Sequence, residues 1–507
     1  MSFFENIKEG VRSSVREFLQ ISESSTVSSL SINQEMTHEV NVSMHKILYR
    51  VDPYETEQLF KTLNGSTGRF WSAVPAGPEF RKIRNDVYQL IIDTLSDIVI
   101  TGLNAPEFKD KSKEEIFNEI FSDKNELNFW KLCKKAVTDV LKTGDGAFKI
   151  SYDNSLSQTN DILSSFTIQF YDAEFVEYVY KYGRLLEIIF YTNFKEDGHA
   201  YTLKEYYGRG YVRYELFKNK KLVSLGSCKA TENLQDFNFE GDYIMAQQVK
   251  IWESPKYEGR GKPLMDGKID ALDALDEIDS EWQDAFRAGI VKSYIPDPLI
   301  PKNKYGDEMR PNAFENKFRK VQGNLTPNSA NEITTVQPDI KYEAFLQSYV
   351  AALDRVLMGI ISPSTLGIDA RKLDDNATAQ REREKITAWK RDQITDVLKD
   401  ILPALIDKIL KTYANIAGTF IEDTDVIVEF DEYNSPGIEQ KIEIVAKAIP
   451  NSQLIPWRKA AQIIFDDLTD EEQEEIAEEL KALNNPTIEE PAMYPTDYDK
   501  MNEDIEE

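Results

Sequence analysis

The chain has 507 residues, 41% hydrophobic and 29% charged, with a formal net charge of −28. At roughly 150 residues per domain the length allows about three cores, and the composition is that of an ordinary soluble protein, which excludes a disordered chain. The charge argues against a protein that wraps nucleic acid, since such affinity comes from neutralising phosphates with Lys and Arg, and no run approaches the ~18 apolar residues that span a bilayer.

Residues 1–20 space Phe4, Ile7, Val11, Val15 and Phe18 like an amphipathic helix, and a Ser-rich connector runs from Ser22 to Ser31. Acids and bases are mixed on its polar face, which suits docking on a protein better than on anionic lipid, and they break any signal-peptide core. Helices are predicted from Arg81 to Ile100, through Ile83, Val87, Leu90, Ile91 and Leu95, and from Lys113 to Leu141. Between Gly146 and Ile251 the period changes to two, as in Phe166, Ile168 and Phe170. Turns at Asp197-Gly198 and Gly208-Arg209-Gly210 then predict an antiparallel meander.

Gly259-Arg260-Gly261-Lys262 resembles the end of a phosphate loop, but Lys256 takes the place of the first glycine and Pro263 that of the magnesium-binding Ser or Thr. It reads instead as a turn into the next helix, Lys268 to Arg287, whose apolar face is Ile269, Leu272, Leu275, Ile278, Trp282 and Phe286. Its other faces carry Asp266, Asp270, Asp273, Asp276, Glu277, Asp279, Glu281 and Asp284, opposed only by Lys268 and Arg287. An exposed side of this kind would carry a dense negative field, and its plain reading is a solvated surface helix.

From Ile290 to Ile340 the prolines Pro296, Pro298, Pro301, Pro311, Pro327 and Pro338 exclude a continuous helix. Short strands with one small helix near Ala313 to Lys320 are predicted, on a basic module rich in Lys302, Lys304, Arg310, Lys317, Arg319 and Lys320. These bases serve either solubility or the docking of an acidic partner. A second helix runs from Tyr342 to Ile361, and Ser362-Pro363 stops it before a polar loop, Ser364 to Thr378, with Asp369, Arg371, Lys372 and Asp374. Ala379 to Tyr413 is again helical, with Pro403 expected to bend or restart it.

A strand-like Val426 to Phe430 precedes helices at Ile438 to Ala448, Pro456 to Phe465 and Asp470 to Leu483. Thr469 and Glu472 form a capping box. From Asp466 onward 17 acids face two lysines, so this tail holds −15 of the −28, and its end beyond Asn484 reads as disordered. Chemistry is sparse. His38, His45 and His199 stand in no ligand or nucleophile motif, and Cys133 and Cys228 lack metal spacing and fit a reduced cytoplasm. No catalytic residue, metal site or cofactor is expected.

Glu258-Gly259-Arg260-Gly261-Lys262-Pro263, then Asp270-Ala271-Leu272-Asp273-Ala274-Leu275-Asp276, a compact insert, a second helix, Ser362-Pro363-Ser364-Thr365-Leu366-Gly367 and Ala377-Thr378-Ala379-Gln380-Arg381 follow in an order with a meaning. This order, over most of residues 50 to 485, resembles the portal proteins of tailed bacteriophages, of the siphophage type from Gram-positive hosts. The resemblance implies an α+β, portal-type multidomain subunit with a mixed wing, a two-helix stem, a small α/β clip, a long helix and a helical crown. In this chain it divides an N-terminal arm and connector (1–40), wing (41–265), stem helix (266–289), clip (290–340), second stem helix (341–362), tunnel loop (363–378), long helix and returning wing strand (379–435), crown (436–485) and acidic tail (486–507).

It further implies a homo-oligomeric ring, usually of twelve subunits, at the capsid vertex of a virion assembled in the bacterial cytoplasm. Double-stranded viral DNA would pass through it, and its partners would be the terminase large subunit, a head-tail adaptor, and the major capsid and scaffolding proteins, with no membrane. Asp369, Arg371, Lys372 and Asp374 would lie at the channel loop, the eight acids on the stem face, and the clip bases at the docking end. Leu272, Leu275, Trp282, Phe345 and Tyr349 would pack the stem. Two other classes are compatible with the residues alone: a metal-dependent nucleic-acid enzyme using the clustered carboxylates, and a scaffold or adaptor that never meets DNA.

Overall fold

The computed structural model describes residues 36–63, 69–74, 80–122, 127–152, 166–296, 299–300, 302–306, 318–321, 334–337, 339–368, 377–419 and 422–431 in a first compact unit, 1–431. In a second unit, 432–507, it describes 433, 459, 474 and 476–479. The expected N-terminal arm, its Ser-rich connector, nearly all of the crown and the acidic tail therefore lie outside the described residues.

The first unit opens with α1 (His38–Tyr49), α2 (Pro53–Leu63), the single turn α3 (Phe70–Ala73), α4 (Val87–Thr101), β1 (Glu107–Phe108), α5 (Lys111–Ile120) and α6 (Phe129–Thr143). Pro53 fits the first turn of α2, where Asp52 accepts the Glu55 amide at 2.9 Å. In α4 the apolar positions Val87, Ile91, Ile92, Leu95 and Val99 share one buried face. The single helix predicted from Lys113 to Leu141 is two. Asp110 caps α5 and Asn128 caps α6, each accepting a first-turn amide, so each helix has its own start.

The period-two region forms two antiparallel sheets. In one, β2 (Asp145–Tyr152) lies between β3 (Phe166–Asp172) and β10 (Ala246–Lys250). The other is the predicted meander of β4 (Val176–Lys181), β5 (Arg184–Glu196), β6 (His199–Gly208), β7 (Tyr211–Lys218) and β8 (Lys221–Val223), with β9 (Phe237–Asn238) also on β7. Ala147, Ile188, Phe190, Tyr207, Val212 and Met245 form a core shared by the two sheets. The buried ion pair of Lys149 and Glu205, 2.6 Å apart, spans them.

Then come α7 (Ile269–Ala288), a small sheet in which β11 (Lys292–Pro296) pairs in parallel with β12 (Phe318–Val321) and antiparallel with β13 (Thr334–Val336), and α8 (Tyr342–Leu357). Phe318–Val321 is a strand where the sequence predicted the end of a small helix, because the Ser293–Pro296 backbone supplies it with partners. The second helix stops at Leu357, earlier than Ile361, and Gly359 takes a left-handed φ of 78° just beyond it. The long helix α9 (Ala377–Ala417) runs through Pro403 without restarting, about 60 Å at 1.5 Å per residue. Ile394, Leu398, Leu402, Leu405, Ile406 and Ile409 bury it in the main core with α4 and α6. The chain then returns through β14 (Val426–Ile427), shorter than the predicted Val426 to Phe430, which pairs with β1.

Candidate functional site

The paired helices α7 and α8 are the part of the fold on which the functional expectations converge. Leu272 and Leu275 are buried, as predicted. Trp282 stacks on Phe345, with ring centroids 6.2 Å apart and planes 5° from parallel, on Phe286 at 5.9 Å, and tilts against Tyr349 at 6.4 Å. The predicted packing residues thus meet across the two helices. Lys268, just before α7, donates from Nζ to the carbonyls of Arg355 and Met358 at 2.8 and 2.9 Å, satisfying the free carbonyl end of α8 with a cation.

The acids of α7 do not behave as one exposed face, and here the sequence expectation is corrected. Asp273 is 7% and Asp276 0% exposed. The Asp273 carboxylate accepts the Phe70 and Trp71 amides at 2.8 and 3.3 Å, at the start of α3. Asp276 accepts from Arg84 at 2.5 Å, from Trp71 Nε1 at 2.8 Å and from the Asn85 amide at 2.8 Å. Asp279 accepts from Asn85 Nδ2 at 3.0 Å, and Ser280 Oγ from the Ile83 amide at 2.9 Å. Residues 81–86, predicted as helix, are instead held non-helical against α7, because their amides bond to its side chains. Burial pushes the carboxyl pKa values of Asp273, Asp276 and Asp279 upward, while those donors pull them back.

Asp266 is likewise turned inward and pairs with Lys256 at 3.2 Å. Asp270 stays 82% exposed in its side chain while pairing with Arg69 at 2.9 Å. Glu277, Glu281 and Asp284 remain. Glu281 is exposed, Glu277 and Asp284 are half-buried, and partial burial, then repulsion from Glu281 and Asp273, raises the Glu277 pKa. Asp270, Glu277, Glu281 and Asp284 follow one another at steps of seven, four and three, which places them in one stripe along the helix.

The turn before α7 is a clamp. Arg260 donates to the carbonyls of Val176 and Ala173, both at 2.7 Å, and pairs with Asp145 at 3.0 Å, while the Gly261 amide bonds the other Asp145 oxygen at 2.6 Å. A Cβ on Gly261 would overlap the backbone of Gly144, so this crossing requires glycine. Asp145, Arg84 and Trp71 do much of this holding and were not anticipated, since none lies in a motif; their role follows from contacts nearly 200 residues away in the case of Arg84.

Lys302 and Lys304 are exposed, Arg319 and Lys320 lie in β12, and Arg310 and Lys317 fall outside the described residues. Asp369, Arg371, Lys372 and Asp374 also fall outside them. The chain entering that loop is tethered to α9, with Thr387 Oγ1 accepting the Ser362 amide at 2.9 Å and meeting Thr365 Oγ1 at 3.0 Å. Among the described residues no three His, Cys, Asp or Glu side chains gather as a metal would need, and no helix is long and apolar enough to cross a membrane.

No family model and no curated protein matches this sequence. Among solved structures, the chain is similar to one from the neck of an empty GTA particle computed with C6 symmetry, with 12% identity and a TM-score of 0.40 over 75% of this chain and 90% of that one. It is also similar to one from the neck of the native GTA particle computed with C12 symmetry, with 11% identity and a TM-score of 0.39 over 75% of this chain and 89% of that one.

Proposed function

We propose that the chain is a portal-type subunit, which assembles into a ring at the capsid vertex of a tailed-phage particle. The ring is a conduit for double-stranded DNA in packaging and ejection and a platform for terminase and head-tail connector proteins, and it catalyses no reaction itself. The observation that carries this reading is the sorting of the acids on α7. Those that would crowd the subunit interior are consumed by Trp71, Arg84 and Asn85, whereas Glu277, Glu281 and Asp284 form a stripe about 10 Å long, which Asp270, paired with Arg69, extends toward the start of the helix. Repeated around an axis, such stripes make a negative wall, which repels phosphate and lets a duplex slide where cationic walls would hold it.

Apolar surface on the same hairpin supports assembly. Phe286 is 48%, Tyr342 59% and Leu346 44% exposed in the isolated chain. On this reading the carboxylates a hydrolytic metal would use are structural, since Asp273 and Asp276 are already committed to protein donors.

Electron microscopy of the purified chain tests the reading directly: rings with a central hole are expected, and compact monomers at high concentration would overturn it. In rings that form, Glu277→Lys combined with Glu281→Lys and Asp284→Lys is expected to create salt-sensitive DNA retention. Rings of this variant that pass DNA as freely as the wild type would show that the stripe does not face the duplex.

A further inference from the structure

Where the turn after β10 meets the first part of α9, lysines and indoles alternate. Trp252 and Lys262 stand opposite each other on the narrow ribbon that carries the Glu253–Gly261 bridge, the Lys262 amide bonding the Trp252 carbonyl at 2.8 Å, so their side chains share a face. The Lys390 ammonium lies over the Trp252 ring, 4.8 Å from its centroid, and over that of Trp389 at 5.5 Å. Among the described residues its hydrogen-bond acceptor is Gln393 Oε1, at 3.2 Å. The order across the surface is thus Lys262, Trp252, Lys390, Trp389.

Two features of this cluster are unusual for the chain. Acids outnumber bases by 88 to 60, and lysines withdrawn from solvent elsewhere meet oxygen at closer range: Lys149 the carboxylate of Glu205 at 2.6 Å, Lys268 and Lys408 backbone carbonyls at 2.8 and 2.9 Å. Lys262 and Lys390 form no ion pair among the described residues and instead repel each other; burial lowers the Lys390 pKa and Lys262 lowers it further. Trp389 is also 60% exposed, and Ile386, one turn before it, 43%, so two large apolar side chains stand in water on one helix face. A carboxylate between the two ammoniums, with apolar cover over Trp389 and Ile386, supplies both deficits. Nucleic acid suits the patch less, because two cations neutralise too few phosphates to hold a strand. A second copy of this acidic chain brings carboxylates to it, and in a ring each subunit turns unlike sides to its two neighbours.

We infer that the cluster of Trp252, Lys262, Trp389 and Lys390 is an interface on which a second copy of this chain seats a carboxylate. This rests on the ring reading above and adds a contact beside the first turns of α9 to the stem hairpin. The carboxylate lies between the two ammoniums, and Trp389 with Ile386 packs on the partner around it, excluding water from the ion pairs.

The test uses the full chain, with heavy-nitrogen-labelled and unlabelled copies mixed before assembly, so that links between copies differ in mass from links within one. Zero-length carbodiimide cross-linking, which joins an amine only to a carboxylate in contact with it, should join Lys262 or Lys390 to an Asp or Glu of another copy. Trp389→Ala removes an exposed ring, so its monomer should melt as the wild type does while the concentration for half-assembly rises at least about tenfold. Lys262→Glu, which sets an acid against the incoming carboxylate, should raise it as well. An unchanged midpoint in both variants, or rings in which neither lysine links to another copy, would overturn the contact and leave the ring reading standing. Protection of the two lysines by a single-stranded oligonucleotide, and not by assembly, would overturn it in favour of nucleic acid. A wild-type chain that stays monomeric would overturn the ring reading and this contact together.

Discussion

At the scale of single residues, the acids of α7 show how one residue type serves opposite ends. Asp276 is enclosed with Arg84, whose side chain is 1% exposed, so removing the carboxylate strands a buried guanidinium. Asp276→Ala is expected to destabilise the chain by ~3–5 kcal/mol in chemical denaturation, whereas Glu281→Ala, at an exposed site, should change it by less than about 0.5 kcal/mol. His45 gives a pH dependence. Its ring is fully buried, with Nδ1 2.7 Å from the Tyr88 hydroxyl, and burial holds its pKa down to about 4, with Asp266 only partly offsetting this. The unfolded chain takes up that proton near pH 6.5 and the folded chain does so only near 4, so stability is full above the first value and falls as pH drops toward the second. His45→Gln should flatten the fall in melting temperature between pH 6.5 and 4. An unchanged slope would show that the imidazole is not its source.

At the scale of elements, periodicity made much legible. The apolar steps through Leu272, Leu275 and Trp282 locate α7, its packed face and its aromatic meeting with α8, and alternation with paired turn residues locates the meander. What periodicity could not show is which polar face is solvated. A carboxylate that caps a distant segment and one that faces water have the same sequence signature, so Asp273 and Asp276 read as exposed while they hold Phe70, Trp71 and Arg84. The same blindness misplaced residues 81–86, whose helical spacing gives way to bonds with α7, and merged α5 with α6, where two capping residues outweigh a continuous apolar pattern. Trp282→Ala tests the hairpin itself. Deleting a large aromatic that stacks on two rings and tilts against a third should cost ~3–5 kcal/mol and weaken assembly; an unchanged melting temperature and ring would show that α7 and α8 do not depend on this stack.

At the scale of the whole molecule, the first unit binds segments far apart in sequence into one body: β14 returns to β1, and α9 threads the core of the first helices. Ahead of residue 369 the chain is tethered to α9, since Ser362 and Thr365 both bond Thr387. Replacing Arg371 and Lys372 with Ala is expected to leave assembly intact while lowering DNA packaging or retention; particles with normal genome content would remove these two residues from any DNA contact. The distribution of bonds along α7 has a mechanical consequence. Its first three turns are gripped through Asp273, Asp276, Asp279 and Ser280, while past them Phe286, Ile290 and Val291 are each two-fifths to a half exposed. The hairpin is thus a cantilever, clamped at its root and loaded at its free end, so a force applied at the basic module bends the outer turns before it disturbs the body that anchors them.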